Sequence, residues 1–226
     1  MRICFVSEGV AQGYATVRGK RCDETENADI VVFGGDGLLE VSYDKELKGE
    51  TDVLGGIATL SAALDAVVVG GCITSTRGHK RKSAVVAEKG KIIGVGDMLH
   101  VLDGEVSSGA TLRVYETKIG KMGVVVGNDI FFPEVFKSLS LCGSDFIVCV
   151  YEELQGIEQV LVRANAFCYG VPIFFCGKGY AMLADSTGEL VFASAHSPAY
   201  ISYTPKKEYH LVETRRCGFI RIRKEL

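Results

Sequence analysis

A chain of 226 residues, of which 47% are hydrophobic, can bury a sizeable core, so we expect one α/β domain spanning residues 1–226. The formal net charge of −3 argues against a general nucleic-acid binder, and no apolar run approaches the roughly 18 residues of a membrane span. The apolar run at the amino terminus is too short for a signal peptide, so we expect a cytoplasmic protein with no membrane partner.

The eight cysteines predict neither disulfides nor a metal centre. Four of them, Cys4, Cys149, Cys168 and Cys176, lie inside apolar runs, where a reduced cysteine behaves as a small buried hydrophobe. No CxxC motif occurs, and no histidine stands at ligand spacing from a cysteine or another histidine. We therefore expect no metal site and no cofactor.

The first third of the chain alternates strands with polar or helical segments. Short apolar runs predict strands at Arg2–Val6 and Ile30–Phe33, separated by a charged stretch, residues 18–27, that fits a solvated helix or loop. The second strand ends in the glycine-rich turn GGDG. Apolar spacing then predicts a helix over residues 54–65 that leads into a strand at residues 66–69.

A hairpin follows these elements. Residues 83–88 and 91–95 are strand-like, and the segment between them places Gly90 where left-handed backbone geometry is needed. Four basic side chains precede the hairpin: Arg77, Lys80, Arg81 and Lys82. Because Gly78 lies among them, this cluster favours an exposed hairpin loop over a nucleic-acid site.

Residues 120–150 predict a β-turn-α-β unit. Residues 122–126 form an apolar, β-branched run typical of a strand buried on both faces. Pro133 suits the first helical position, apolar residues recur at helical spacing, and Gly143 marks the helix end before a strand at 144–150. The turn at 127–130 therefore lies at the carboxyl end of the first strand, where open α/β sheets bind ligands.

The last third repeats this alternation. We predict a helix over residues 156–169, strands at 171–176 and Tyr180–Ala184, a turn at 185–188, and a strand at 189–194. Two apolar pieces of the tail, residues 210–212 and 219–222, fit edge strands or an arm that contacts another subunit. Strands alternating with helices around one hairpin indicate an α/β layer protein.

Together these segments resemble the nitrilase or carbon-nitrogen hydrolase superfamily over nearly the whole chain. The family motif G-x-x-x-C-x-D-x-x-F-P-E is matched at five positions: Gly123, Asp129, Phe132, Pro133 and Glu134. Three further segments are similar to family signatures in the same order: residues 139–148 (LSLCGSDFIV), Arg163-Ala164-Asn165-Ala166 and Asp185-Ser186-Thr187-Gly188.

The resemblance implies a nitrilase-like four-layer α-β-β-α sandwich that often dimerises. We therefore expect a homodimer, to which the helices around Val135 and Val160 offer apolar faces.

The same resemblance implies that the family's catalytic residues are missing. Gly127 stands at the position of the cysteine nucleophile, and the proline-glutamate pair that supplies the general base is replaced by Gly34-Gly35. The lysine of the family's K-x-H-L pattern falls on Met98, two residues before His100. Because glycine carries no side chain and a thioether carries no charge, the resemblance implies a catalytically degenerate member.

We interpret such a member as a ligand-binding, regulatory or oligomerisation module. The ligand that we expect for it is a small molecule. Four polar residues are candidates to line its pocket: Asp36, Asn128, Asp129 and Glu105. Asp129 also fits two structural roles, a turn residue or a buried partner of Arg163.

Two alternatives remain open. In the first, another cysteine replaces the missing nucleophile, and the protein is an active amidohydrolase acting on a small amide or a related C–N substrate. The cysteines closest in sequence to Gly127 are Cys142 and Cys149. The GGDG turn resembles that of the diacylglycerol kinase and NAD kinase group, which would give a lipid or nucleotide kinase. Leu38, however, stands where that group has threonine.

Overall fold

The computed structural model describes residues 1–7, 28–34, 39–102, 104–152 and 155–205, and all structural statements below concern these ranges. The predicted tail strands, the segment at 18–27 and the last three residues of the GGDG turn lie outside them.

The first sheet is built mainly from the amino-terminal half of the chain. Its seven strands are β1 (Arg2–Val6), β2 (Ile30–Phe33), β3 (Leu39–Ser42), β4 (Val67–Thr76), β5 (His79–Glu88), β6 (Lys91–Asp97) and β13 (Ala199–Ser202). The order is β13-β1-β2-β4-β5-β6, and β3 pairs with the far half of β4. β1, β2 and β4 are parallel neighbours, whereas β4, β5 and β6 form an antiparallel meander.

The second sheet contains six strands: β7 (Val114–Thr117), β8 (Gly120–Val126), β9 (Phe146–Val150), β10 (Ile173–Gly177), β11 (Tyr180–Ala184) and β12 (Leu190–Ser194). They lie in the order β12-β11-β10-β9-β8-β7, with β8, β9 and β10 parallel. Parallel neighbours require crossover connections, which helices supply here.

Four helices in the described part of the chain cover the outer faces of the two sheets. α1 (Tyr43–Lys48) and α2 (Val53–Ala63) belong to the first sheet, and α3 (Pro133–Leu141) and α4 (Glu158–Tyr169) connect strands of the second. α3 begins with Pro133 at its first turn and ends before Gly143, whose φ of 85° supplies the left-handed stop. None of the described helices is long and apolar enough to cross a membrane.

Strand alternation separates three apolar layers. Ile3 and Phe5 of β1 face the core between the sheets, whereas Cys4 packs in the layer under α2. Likewise, Val148 of β9 faces the core between the sheets and Ile147 packs under α3 and α4. The two sheets thus pack face to face, and each carries helices on its outer face. This arrangement confirms the predicted four-layer α-β-β-α sandwich.

Three details differ from the sequence predictions. The hairpin turn that was expected over the whole basic cluster is confined to Arg77 and Gly78, and Lys80–Lys82 belong to β5 because the strand extends to His79. Cys168 is exposed on α4 rather than buried. Val135 is fully packed inside its own subunit, so it offers no free apolar face.

Candidate functional site

A cavity of about 190 Å³ opens at the carboxyl end of β8 and β9. Its described lining residues come from both sheets and the loops beside them: Lys82, Leu102, Gly127, Asn128, Tyr151, Glu152 and Gln155. The cavity therefore lies where the sequence places the ligand site, at the turn after β8.

Lys82 reaches this cavity from the facing sheet. It lies on the same side of β5 as Ala84 and Val86, which point into the core between the sheets. Its ammonium Nζ lies 3.2 Å from Oε2 of Glu152, just beyond the end of β9. The two side chains are only 21% and 24% exposed, so this ion pair is better shielded from water than a surface pair.

Gly127 lines the cavity, and Met98 packs directly beside it. Gly127 follows β8 with φ of 53° and opens a 3₁₀ turn, Gly127–Phe131. Met98 follows β6, donates its backbone N–H to Lys82 O at 2.8 Å, and is 1% exposed. A Cβ placed on Gly127 would lie 2.7 Å from Met98 Sδ, and the backbone N–H of Asn128 donates to the same sulfur at 3.3 Å.

The Met98 sulfur thus fills the space into which a side chain at position 127 would project. The same sulfur accepts the hydrogen bond from the backbone N–H of the next residue, Asn128. The two positions that the family resemblance assigns to lysine and cysteine are therefore neighbours in space, with no room between them for a further group.

Asp129 holds the Met98 segment against the turn. Its carboxylate is 1% exposed and accepts hydrogen bonds from the backbone N–H groups of Leu99 (2.9 Å) and His100 (2.8 Å). The His100 ring also contacts it through Nδ1 at 2.8 Å and stacks on Phe132 with ring centroids 3.7 Å apart. These hydrogen bonds satisfy the buried carboxylate and tie the two residues after Met98 to the turn.

Of the roles predicted for Asp129, the structure agrees with that of a turn residue, since Asp129 lies in the 3₁₀ turn. It is not among the described residues that line the cavity, and its side-chain partner is His100 rather than Arg163, whose Nε donates to Gly188 O at 3.0 Å.

Of the other predicted pocket residues, Asn128 lines the cavity, whereas Glu105 is exposed and is not among the lining residues. Gly35 and Asp36 lie outside the described residues. Gly34 is described, and it has no room for a side chain: a Cβ there would lie 2.1 Å from Cys176 O.

Neither of the two cysteines considered as displaced nucleophiles is among the described residues that line the cavity. Cys149 packs in the layer under α3 and α4, and its burial raises the pKa of its thiol far above the ordinary value. Cys142 is exposed at the carboxyl end of α3. Neither thiol is therefore placed to attack a ligand in this cavity.

Three of the lining residues were not predicted from the sequence: Lys82, Tyr151 and Glu152. A signal for Lys82 was present, because strand alternation from Ala84 and Val86 places it on the inner face of β5. Glu152 follows a buried strand directly, at the edge where ligands bind. In the described ranges, no group of three or more His, Cys, Asp or Glu side chains could hold a metal ion.

Comparison with known proteins shows the family to which the chain belongs. The sequence profile of the carbon-nitrogen hydrolase family matches residues 19–204. A protein named as a probable nitrilase from Schizosaccharomyces pombe is 28% identical over 136 residues, which are 53% of this chain and 50% of that protein. The chain thus spans about half the length of this curated relative.

Solved structures show the same fold. Nit3 of Saccharomyces cerevisiae, a member of branch 10 of the nitrilase superfamily, superposes with a TM-score of 0.77 at 15% identity, covering 100% of this chain and 97% of that one. A carbon-nitrogen hydrolase from Helicobacter pylori gives 0.73 at 16% identity, covering 100% and 95%.

Proposed function

The chain belongs to the carbon-nitrogen hydrolase family, and on that basis we propose that it binds a small molecule in the family's pocket without hydrolysing it. In this proposal the protein is a catalytically degenerate member that acts through binding, as a regulatory or assembly module.

The observation that carries this proposal is the position of the Met98 sulfur. Acyl transfer requires a nucleophilic atom next to the bound carbonyl or nitrile carbon and a donor for the developing oxyanion. Gly127 supplies no nucleophile, and the N–H group of Asn128 already donates to Met98 Sδ. A thioether offers no positive charge to an oxyanion, so two requirements fail at one place.

The runner-up, an active amidohydrolase with a displaced nucleophile, has less support. It would need Cys149 or Cys142 at the cavity, and neither thiol is among the described lining residues. The match to the carbon-nitrogen hydrolase family spans the GGDG segment, so this segment gives the kinase alternative no support of its own.

The experiment is a turnover assay with a panel of small amides, nitriles and carbamoyl compounds, followed by mass spectrometry of the intact protein for an acyl adduct. We expect no adduct and at most trace turnover, because binding and backbone donors alone give rates thousands-fold below a working site. Turnover above trace that is lost on alkylation of Cys142 or Cys149 would establish the runner-up instead.

A further inference from the structure

We propose that the cavity beside Gly127 binds a small zwitterion, with its carboxylate on Lys82 and its ammonium on Glu152. This assignment names the ligand class of the pocket and therefore rests on the proposed function.

Charge is the first argument. Among the described residues that line the cavity, Lys82 and Glu152 are the charged ones, and they lie within 3.2 Å of each other. A ligand with one charge attracts one of these groups and is repelled by the other. A ligand that carries both charges, separated by one or two carbon atoms, pairs with both groups and leaves the site neutral.

Shielding strengthens this selectivity. The side chains of Lys82 and Glu152 are 79% and 76% covered, as their exposures of 21% and 24% imply. Interactions between charges that are partly withdrawn from water are screened less than those of surface pairs. Lys80 and Glu40, a pair of similar geometry at 3.3 Å, are 54% and 59% exposed and provide the natural comparison.

Size is the second argument. A cavity of about 190 Å³ holds about six water volumes, which suits a ligand of a similar number of non-hydrogen atoms. It is smaller than the roughly 300–1,000 Å³ of pockets for drug-sized ligands. Small amino acids such as glycine and β-alanine combine this size with both charges.

The test measures binding by calorimetry and by thermal shift for β-alanine and for three relatives of similar size. Butyrate keeps only the negative charge, propylamine keeps only the positive charge, and propionamide is neutral. We expect saturable binding of β-alanine and at least about tenfold weaker binding of the singly charged compounds.

Variants assign that binding to the ion pair. Lys82→Gln and Glu152→Gln should each weaken β-alanine binding at least about tenfold, whereas Lys80→Gln on the same strand should leave it unchanged. If either pocket variant fails to fold, the exchanged pair K82E/E152K keeps both charges, and we expect it to retain binding.

The outcomes separate this assignment from the proposed function. Absence of β-alanine binding, or binding that Lys82→Gln does not weaken, overturns the zwitterion assignment. Binding of propionamide alone, without turnover, also overturns it yet agrees with a degenerate binding protein. Hydrolysis of propionamide overturns the proposed function itself.

Discussion

A methyl group added at position 127 tests whether Met98 fills the place of a side chain there. Gly127→Ala has two costs. A residue with a Cβ at φ of 53° costs about 1–2 kcal/mol, and forcing that Cβ against a sulfur 2.7 Å away costs about 1–3 kcal/mol as overpacking. We therefore expect a loss of about 2–5 kcal/mol in the free energy of unfolding.

A second glycine separates these two costs. Gly179 has a similar φ of 65°, but a Cβ there would meet nothing within 4 Å. Gly179→Ala should therefore lower the free energy of unfolding only by the backbone cost, about 1–2 kcal/mol. The remaining difference of about 1–3 kcal/mol measures the contact with Met98, and it should vanish when both glycine variants are made on a Met98→Ala background.

Urea unfolding of the six proteins supplies the numbers, with equal m-values as the condition for comparing them. If Gly127→Ala is no more destabilising than Gly179→Ala, the sulfur leaves room for a side chain. Met98 would then not fill the nucleophile position.

Three further predictions concern the buried carboxylate, pH and assembly. Asp129→Asn should lower the free energy of unfolding, measured in urea, by about 1–3 kcal/mol, because an amide cannot accept hydrogen bonds from all the donors around it. An unchanged stability would show that Asp129 does not hold the segment after Met98 in place. Burial acts to raise the pKa of Glu46, but hydrogen bonds from Thr51 and two backbone N–H groups of α2 outweigh it and lower that pKa. Glu46→Gln should therefore destabilise the protein at pH 7, and this effect should disappear as pH falls through the lowered pKa; a penalty that does not decrease on acidification would refute this. We also propose a homodimer that uses the exposed face of α4: light scattering should give a dimer mass that Val160→Asp reduces, and a monomeric wild type would contradict it.

Burial explains which elements the sequence could predict. The predicted bounds of Arg2–Val6, Ile30–Phe33 and Tyr180–Ala184 agree with the structure, because these strands are almost wholly buried and read as apolar runs. The strands at Leu39–Ser42 and Val114–Thr117 were missed, since four-residue runs of mixed polarity give no clear period.

The candidate site was only half predictable for a related reason. The turn after Val126 could be located because strand, proline and helix spacing all agree around it. Lys82 was assigned to a loop because its charged neighbours suggest solvent. β5 runs from the buried sheet to an exposed hairpin, so its charged end contains residues of both kinds: Lys80 is exposed, whereas Lys82 lines the cavity.

The substitutions at positions 98 and 127 are physically consistent with each other. Met98 is 1% exposed, so a lysine at position 98 would have to bury a charge, and glycine stands at both positions, 127 and 35, where the family resemblance places the charged partners of that lysine. Methionine has a similar length and no charge, so it can fill the same space and contact Gly127 without that penalty. The positive charge of the site is instead carried by Lys82, which has its own carboxylate partner in Glu152. A cysteine placed at position 127 alone would bring its Cβ to 2.7 Å from the Met98 sulfur, so an unstrained thiol at this place requires both positions to change together.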